Sequence, residues 1–381
     1  MELQSLRNQI DDIDKELVSL FIKRMNCSAM VAELKRKNRL PVLDASRERA
    51  LLNKISELAG EDFEGYARTL YSTILSLSRS YQHTRIDQSN ELYNSITEAI
   101  ERTPQLFPER ATVACQGIEG AYSQIAAEKL FKAPDIVFFS NWEKVFSAIE
   151  SGMCRYGVIP IENSTAGSVK KVYDLMVSKN FKIVRTVRIK IDHCLLAKPG
   201  TKLSDVKEIY SHEQAISQCS SFLSSLGSNV NIVRVDNTAM AAQMVANSDR
   251  ADVAALSSRS CATIYSLSVL ASSVQDNGNN HTRFICITDN TEIYPGADRT
   301  SLMLVTPHKP GALYNILSRF NALGINLIKL ESRPIPDRDF EFMFYFDLEV
   351  PVYSPKLALL LSELEKECDE FTYLGSYSEV I

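Results

Sequence analysis

The stretch YGVIPIENSTAGSVKKVYDLM, residues 156–176, reads as one strand, one polar turn and one helix. YGVIPIE is a short apolar run, long enough for a buried strand and too short for a helix. NSTAGS supplies hydroxyls, an amide and a glycine, the chemistry of a turn at a helix N-terminus. The same unit recurs on both sides. ATVACQG (111–117) leads into IEGAYSQIAAEKLF (118–131), and VKEIYSHE (206–213) into QAISQCSSFL (214–223). NIVRVD (231–236) leads into NTAMAAQMVAN (237–247), and ADVAALSS (251–258) into RSCATIYSL (259–267). Strands alternating with helices predict parallel α/β sheets. The polar turns then converge at the carboxyl ends of the strands, where open α/β sheets bind ligands. Helix N-termini and hydroxyls hold anions without many cations. Taken singly, each polar residue is most simply an N-cap. Five such turns, followed by NNHTRF (279–284), point to a binding cleft.

The N-terminal segment carries only helical periodicity. Leu6, Ile10, Ile13, Leu17, Leu20, Cys27, Val31 and Leu34 recur at threes and fours and predict a helix over about 5–37. The gap in that seam is Arg24. Lys35 lies about three turns further on and shares its face, whereas Arg7 does not. At 1.5 Å per residue Arg7 and Lys35 are roughly 42 Å apart. A small ligand that touches both therefore needs two chains paired antiparallel. In LDASRERALL (43–52) Asp44 is a suitable N-cap, and the stripe of Leu51, Leu52 and Ile55 extends back onto Arg47 and Glu48. A helix over 66–82 sets Ser78 and Gln82 on or beside the stripe of Leu70, Ile74, Leu77 and Tyr81. Arg7, Arg24, Lys35, Arg47, Glu48, Ser78 and Gln82 then offer a cationic cage with one acid and one amide, which suits a small dianion.

Residues 299–381 read β-α-β-β-α-β, a ferredoxin-like unit. The bulk numbers limit the partners. A hydrophobic content of 45% and a charged content of 23% are those of a soluble globular protein. A net charge of −5 gives no basic surface for nucleic acid or an anionic membrane, and no apolar run is long enough to span a bilayer. The N-terminus is charged from its second residue, unlike a signal peptide. The cysteines are scattered without a Cys-x-x-Cys pair, which argues for reduced thiols in a cytoplasmic protein. There is no metal-ligand spacing and no P-loop, so neither a metal nor another cofactor is expected.

Three resemblances follow from particular residues. SLRNQID (5–11), Arg24, Lys35, PVLDASRER (41–49) and SLSRSYQ (76–82) resemble the all-α, three-helix chorismate mutase domain, which dimerises by exchange. That resemblance implies a chorismate site of Arg7, Arg24, Lys35, Asp44, Arg47, Glu48, Ser78 and Gln82, with Arg7 from the other chain. Lys35 and Gln82 would donate to the ether oxygen and Glu48 would meet the ring hydroxyl. GAYS (120–123), PIENSTAGS (160–168), DHCLLA (192–197), YSHEQ (210–214) with QC (218–219), NTAMAA (237–242) and NHTRF (280–284) resemble prephenate dehydratase. Its fold is two α/β lobes around a cleft, like type II periplasmic binding proteins. The implied prephenate site is Glu162, Asn163, Ser164, Thr165, Ser211, Gln218, Thr282 and Arg283. Thr282 would be the donor to the leaving hydroxyl, while His212 and His281, the nearby imidazoles, read as loop residues. The family usually has proline where this chain has Ile118 and Glu213.

GALY (311–314) and ESRP (331–334) resemble the ACT regulatory domain, which implies phenylalanine binding at a dimer interface through Gly311, Ala312, Leu313, Glu331, Ser332, Arg333 and Pro334. The order of segments resembles a bifunctional chorismate mutase–prephenate dehydratase inhibited by L-phenylalanine and working as a homodimer or larger homo-oligomer. The expected boundaries are 1–90 for the mutase, 91–110 for a linker, 111–290 for the dehydratase and 299–381 for the regulatory domain. Two rival readings use the same features: an amino-acid sensor without turnover, and a dehydratase whose helical segment only dimerises.

Overall fold

The computed structural model of the chain describes residues 3–86, 91–335, 338 and 341–380. The helices are α1 (Leu3–Asn38), α2 (Ala45–Ala59), α3 (Glu64–Ile86), α4 (Glu91–Arg102), α5 (Tyr122–Leu130), α6 (Trp142–Glu150), α7 (Lys170–Ser178), α8 (Glu213–Gln218), α9 (Ser220–Ser225), α10 (Thr238–Asn247), α11 (Arg259–Ile264), α12 (Ala312–Leu323) and α13 (Pro355–Glu367). The strands are β1 (Thr112–Gln116), β2 (Asp135–Phe139), β3 (Tyr156–Asn163), β4 (Gly167–Ser168), β5 (Lys182–Lys190), β6 (His193–Ala197), β7 (Glu208–Ser211), β8 (Asn231–Arg234), β9 (Val253–Ser258), β10 (Ser268–Ala271), β11 (His281–Thr288), β12 (Arg299–Val305), β13 (Asn326–Pro334), β14 (Phe342–Glu349) and β15 (Glu370–Val380). None of the described helices is long and apolar enough to cross a membrane. Two compact units are formed: Met1–Thr97 with Val305–Asn326 and Tyr353–Phe371, and Glu98–Leu304 with Leu327–Val352 and Thr372–Ile381.

In the first unit α1 and α2 both pack on α3. The Asp44 carboxylate starts α2 by accepting from the Arg47 N–H at 3.0 Å. That N–H, and then the Ser46 hydroxyl, lower the Asp44 carboxyl below its ordinary range. The apolar seam of α1 stays open within the chain: Leu6, Ile10, Ile13, Leu17 and Leu20 are 40–60% exposed, and only Ala32 of this helix is buried. α12 and α13 belong to this unit and lie against α3, where Arg79 pairs with Glu367 at 3.6 Å and Ser80 bonds Glu363. The boundary expected at residue 90 lies outside the described residues. After it α4 runs to Arg102 with Ile96 and Ala99 buried.

The second unit is built on two sheets. One has the order β13-β14-β12-β15-β5-β11-β3-β1-β2 with β4 on β3, and the other β10-β6-β9-β7-β8. Pairing is parallel where strands alternate with helices, as β1 with β2 and β3, or β7 with β8 and β9. The expected parallel pairing does not extend to β6 and β11, which run antiparallel to their neighbours. These strands carry DHCLLA and NHTRF. Each begins just after the chain passes between the two sheets, at 191–192 and 272–280, without a covering helix, so it enters antiparallel. Period-two alternation fills both faces of the smaller sheet. Cys194 and Leu196 join one core, and Leu195 and Ala197 the other.

The last four strands run β13-β14-β12-β15 in a βαββαβ chain order, the ferredoxin-like arrangement. They extend the larger sheet where β15 pairs parallel with β5, from Ser378 opposite Arg185 to Val380 opposite Val187. Gly375 permits this join. Its φ is +143°, and a Cβ there would stand 2.3 Å from the Ile183 carbonyl oxygen.

Candidate active sites

A cavity of about 280 Å³ lies between the two α/β lobes of the second unit. One wall holds Tyr122, Ser123, Pro160, Asn163, Thr282 and Phe284; the other holds His193, His212, Gln218, Asp236, Asn237 and Thr238. No lysine or arginine lines it among the described residues. The first turns of α5 and α10 open onto it through Tyr122, Ser123 and Thr238, so backbone N–H groups supply the positive potential.

Its centre is one rung of a ladder. β11 and β3 are antiparallel, with Thr282 opposite Asn163 and Arg283 opposite Glu162. The Asn163 amide is fixed at both ends. Its oxygen accepts from the Thr165 and Ala166 N–H groups at 3.0 and 2.8 Å. Its NH2 therefore faces the other way and donates to Asn280 at 2.7 Å and to Thr282 Oγ1 at 2.9 Å. With Oγ1 accepting from Asn163, the hydroxyl proton of Thr282 is free to point into the cavity.

The next rung faces away, because side chains alternate along a strand. Arg283 is 3% exposed and forms ion pairs with Asp347 and, at 2.8 Å, Glu162. Burial opposes its charge, but Asp347 and the neighbouring groups outweigh that and raise its pKa well above the ordinary value. A register shift between Arg283 and Phe284 brings Phe284 opposite Pro160, so Pro160 and Asn163 reach the same face although three residues apart.

Of the eight residues the resemblance implied for this site, Asn163, Gln218 and Thr282 line the cavity. Arg283 and Glu162 do not, since their rung points away. Ser164 bonds the Asn279 carbonyl, Ser211 is fully buried on the Leu256 carbonyl, and Thr165 supplies its backbone N–H. These five brace the cleft walls. Glu213 opens α8, where a carboxylate suits the helix dipole as well as proline suits the backbone. The sequence reading missed His193. It is 2% exposed, its Nε2 lies 3.1 Å from Gln218 Oε1 and its Nδ1 has no partner. Burial pushes its pKa down despite the Gln218 bond, so it is neutral at neutral pH. DHCLLA stood out in the sequence, but only the positions of β6 and Gln218 turn this imidazole toward the cleft. His281 does not line it.

In the first unit Arg24 bonds Ser78, so α1 and α3 meet as their spacings implied. The Lys35 ammonium reaches the Val42 carbonyl at 2.6 Å. Ser78 and Gln82 are buried, and the Gln82 side-chain oxygen has no partner. Glu48 is held by Arg79, whose Nη1 lies 2.6 Å from each carboxylate oxygen. Arg79 went unnoticed in the sequence because it is one position off the Ser78 face. Arg7 and Arg47 are exposed. The stretches implied for effector binding fall in different compact units. Gly311 caps α12 with φ +83°, and Ala312 and Leu313 begin that helix. On β13, Glu331 and Arg333 point inward while Ser332 and Pro334 are exposed.

Comparison with known proteins identifies the families of both segments. Residues 113–292 match the prephenate dehydratase family and residues 6–83 the type II chorismate mutase family. A bifunctional chorismate mutase/prephenate dehydratase of Aquifex aeolicus is 30% identical over 385 residues, covering 100% of this chain and 99% of that protein. The chain belongs to the bifunctional chorismate mutase/prephenate dehydratases. The Escherichia coli enzyme of that name is also 30% identical, over 98% of this chain and 96% of its own. The prephenate dehydratase of Arthrobacter aurescens, solved in complex with L-Phe, superposes with a TM-score of 0.65 at 28% identity, covering 70% of this chain and 90% of that one. The chain is thus an enzyme with a chorismate mutase domain and a prephenate dehydratase domain, and the cleft lies in the dehydratase domain.

Proposed function

We propose that the helical segment rearranges chorismate to prephenate, that the cleft converts prephenate to phenylpyruvate, and that L-phenylalanine inhibits the chain. The observation that carries the dehydratase reading is the Thr282 hydroxyl, pinned by Asn163 with its proton free, on the wall of a cavity for a small acid. As the ring carboxylate leaves as carbon dioxide, its C–C electron pair moves into the ring and expels the hydroxyl, and the ring becomes aromatic. The Thr282 hydroxyl is too weak an acid to give up its proton, so it stabilises the departing hydroxide by hydrogen bonding. Water results once solvent supplies a proton. The substrate carboxylates rest on the first turns of α5 and α10, with Gln218 from the opposite lobe.

The mutase step is a single pericyclic shift, so no nucleophile is needed. Arg7 of a second copy and Arg24 clamp carboxylates, with Arg47 beside them. Lys35 and Gln82 donate to the ether oxygen as charge develops there, and Glu48 receives the ring hydroxyl. Asp44 and Ser78 hold this set. The open α1 seam and the length of that helix support an exchanged homodimer.

Residues 1–90, 91–110, 111–290 and 299–381 are then mutase, connector, dehydratase and ACT regulatory domain. At the interface of two copies, Gly311 to Leu313 and Glu331 to Pro334 receive phenylalanine. The ferredoxin-like strand order and the L-Phe complex of the Arthrobacter enzyme favour this reading. β13 is the edge of its sheet, suited to pairing with a second copy.

One assay tests all three parts. Purified protein is given chorismate while chorismate, prephenate and phenylpyruvate are followed together, with and without phenylalanine. Phenylpyruvate should form, and form more slowly with phenylalanine. Prephenate that accumulates unconsumed would refute the dehydratase, and unconsumed chorismate would refute the mutase.

A further inference from the structure

β13 lies along the dehydratase segment that carries Asn163. Lys329, Glu331 and Arg333 alternate with Leu330, Ser332 and Pro334, so the three charged side chains share the inward face. Each meets a successive piece of that segment. Lys329 Nζ is 2.8 Å from Glu162 Oε2 on β3 and 2.8 Å from Ser168 Oγ on β4. Glu331 accepts from the same Ser168 hydroxyl at 2.6 Å. Arg333 bonds Asp174 on α7 at 2.8 Å. The strand is therefore fastened rung by rung to β3, β4 and α7.

The first fastening bears on the candidate catalytic pair. Glu162 precedes Asn163 and Arg283 follows Thr282, and the two pairs are neighbouring rungs of one ladder. Three acids (Glu162, Glu331, Asp347) face two cations (Arg283, Lys329) in this cluster. Removing Lys329 would leave Arg283 alone between Glu162 and Asp347, with a further uncompensated negative charge. Both fixed carboxylates would then compete for one guanidinium, and a shift of its rung is passed along the backbone to the Asn163–Thr282 rung. Lys329 touches no wall of the cavity, so its influence can only be indirect.

We propose that Lys329 is a positioning residue of the dehydratase, and that the inner face of β13 carries the effect of an amino acid bound at 331–334 to the Asn163–Thr282 rung. This inference rests on the dehydratase reading of Thr282 and the effector reading of that stretch. An effector that binds through Glu331 or Arg333 must alter their bonds to Ser168 and Asp174. Its affinity then differs between the fastened and unfastened arrangements, which is what coupling requires.

The test uses the full chain with Lys329→Met, which keeps the stem and removes the charge, and Lys329→Arg, which restores it. Dehydratase kcat and KM are measured with prephenate, and mutase activity with chorismate, across a phenylalanine series. Lys329→Met should lower dehydratase kcat about 10-fold or more with KM nearly unchanged, since misplacement of a catalytic group by ~1 Å can cost 100-fold. It should raise the half-inhibiting phenylalanine concentration about 5-fold or more. Mutase activity should hold, and Lys329→Arg should recover both losses. If Lys329→Met does not fold, Ser168→Ala removes the hydroxyl shared by Lys329 and Glu331 and should raise the half-inhibiting concentration in the same direction. An active, inhibitable parent whose Lys329→Met form matches it in kcat and inhibition would overturn this inference alone. In the Ser168→Ala arm, unchanged inhibition would do the same. A parent that makes no phenylpyruvate would overturn the reading of Thr282 and this inference with it.

Discussion

The helical segment and the cleft reach comparable density of polar function by different routes. In the first, Arg24, Lys35, Ser78 and Gln82 sit on helices whose spacing already puts them on shared faces, and the Arg24–Ser78 bond joins two of those faces. In the second, Asn163, His193, Thr282 and Gln218 line the cavity from β3, β6, β11 and α8, and adjacent residues of one motif point in opposite directions. A helix keeps residues three and four apart together, so sequence spacing translates into proximity. A strand separates neighbours, so a motif such as PIEN divides into Pro160 and Asn163 for the cavity and Glu162 for the bracing behind it.

Single substitutions test that contrast. Thr282→Ala removes a donor with no local substitute, and phenylpyruvate formation should fall about 100–1,000-fold. Prephenate formation from chorismate should be unchanged, as read by the same coupled assay. Arg24→Ala should do the reverse, lowering chorismate consumption by about 100-fold or more while externally added prephenate is still consumed. Loss of both activities in either folded variant would refute two separate sites.

A smaller effect is expected at Gly375, where strand geometry alone is at stake. Gly375→Ala must push the β15 backbone off Ile183 and should cost about 1–3 kcal/mol. Urea unfolding followed by Trp142, the chain's single tryptophan, would show an earlier transition in the second unit. An unchanged midpoint would mean that the two strands can separate freely there.

The smallest effect concerns pH. The folded pKa of His193 is depressed below its ordinary 6.5, so above that value neither folded nor unfolded chain binds the proton. As pH falls below 6.5 the unfolded chain takes it up first, and stability is lost until the folded pKa is reached. The Trp142 midpoint should therefore drop between pH 7 and pH 5 by more in the parent than in His193→Gln. Equal drops would assign the acid sensitivity to other groups.

The legible part of the molecule follows from this difference. The helices over 5–37 and 66–82, the five strand–turn–helix units and the βαββαβ order were all visible, because each rests on local periodicity and turn chemistry. Asn163, Gln218 and Thr282 were named through the resemblance to prephenate dehydratase, and of these Asn163 also stood at a strand end before a polar turn. Arg283 and Glu162 share their motifs, yet face the C-terminal strands, and nothing in the local pattern says which side of β3 becomes the cavity. His193 and Arg79 escaped notice for a related reason, since each acquires its role only from a partner distant in sequence: Gln218 in one case, Glu48 and Glu367 in the other.

By itself the sequence determined where the chain turns helical or extended, which helix faces are apolar, and that three segments with different chemistry follow one another. Tertiary structure decided which side of each strand the cleft occupies, which charges are spent on bracing, and that β13 is tied to the segment carrying Asn163. Local preferences act over one or two turns of chain, whereas ion pairs such as Lys329–Glu162 and close approaches such as Gly375 on Ile183 exist only once distant segments are packed together.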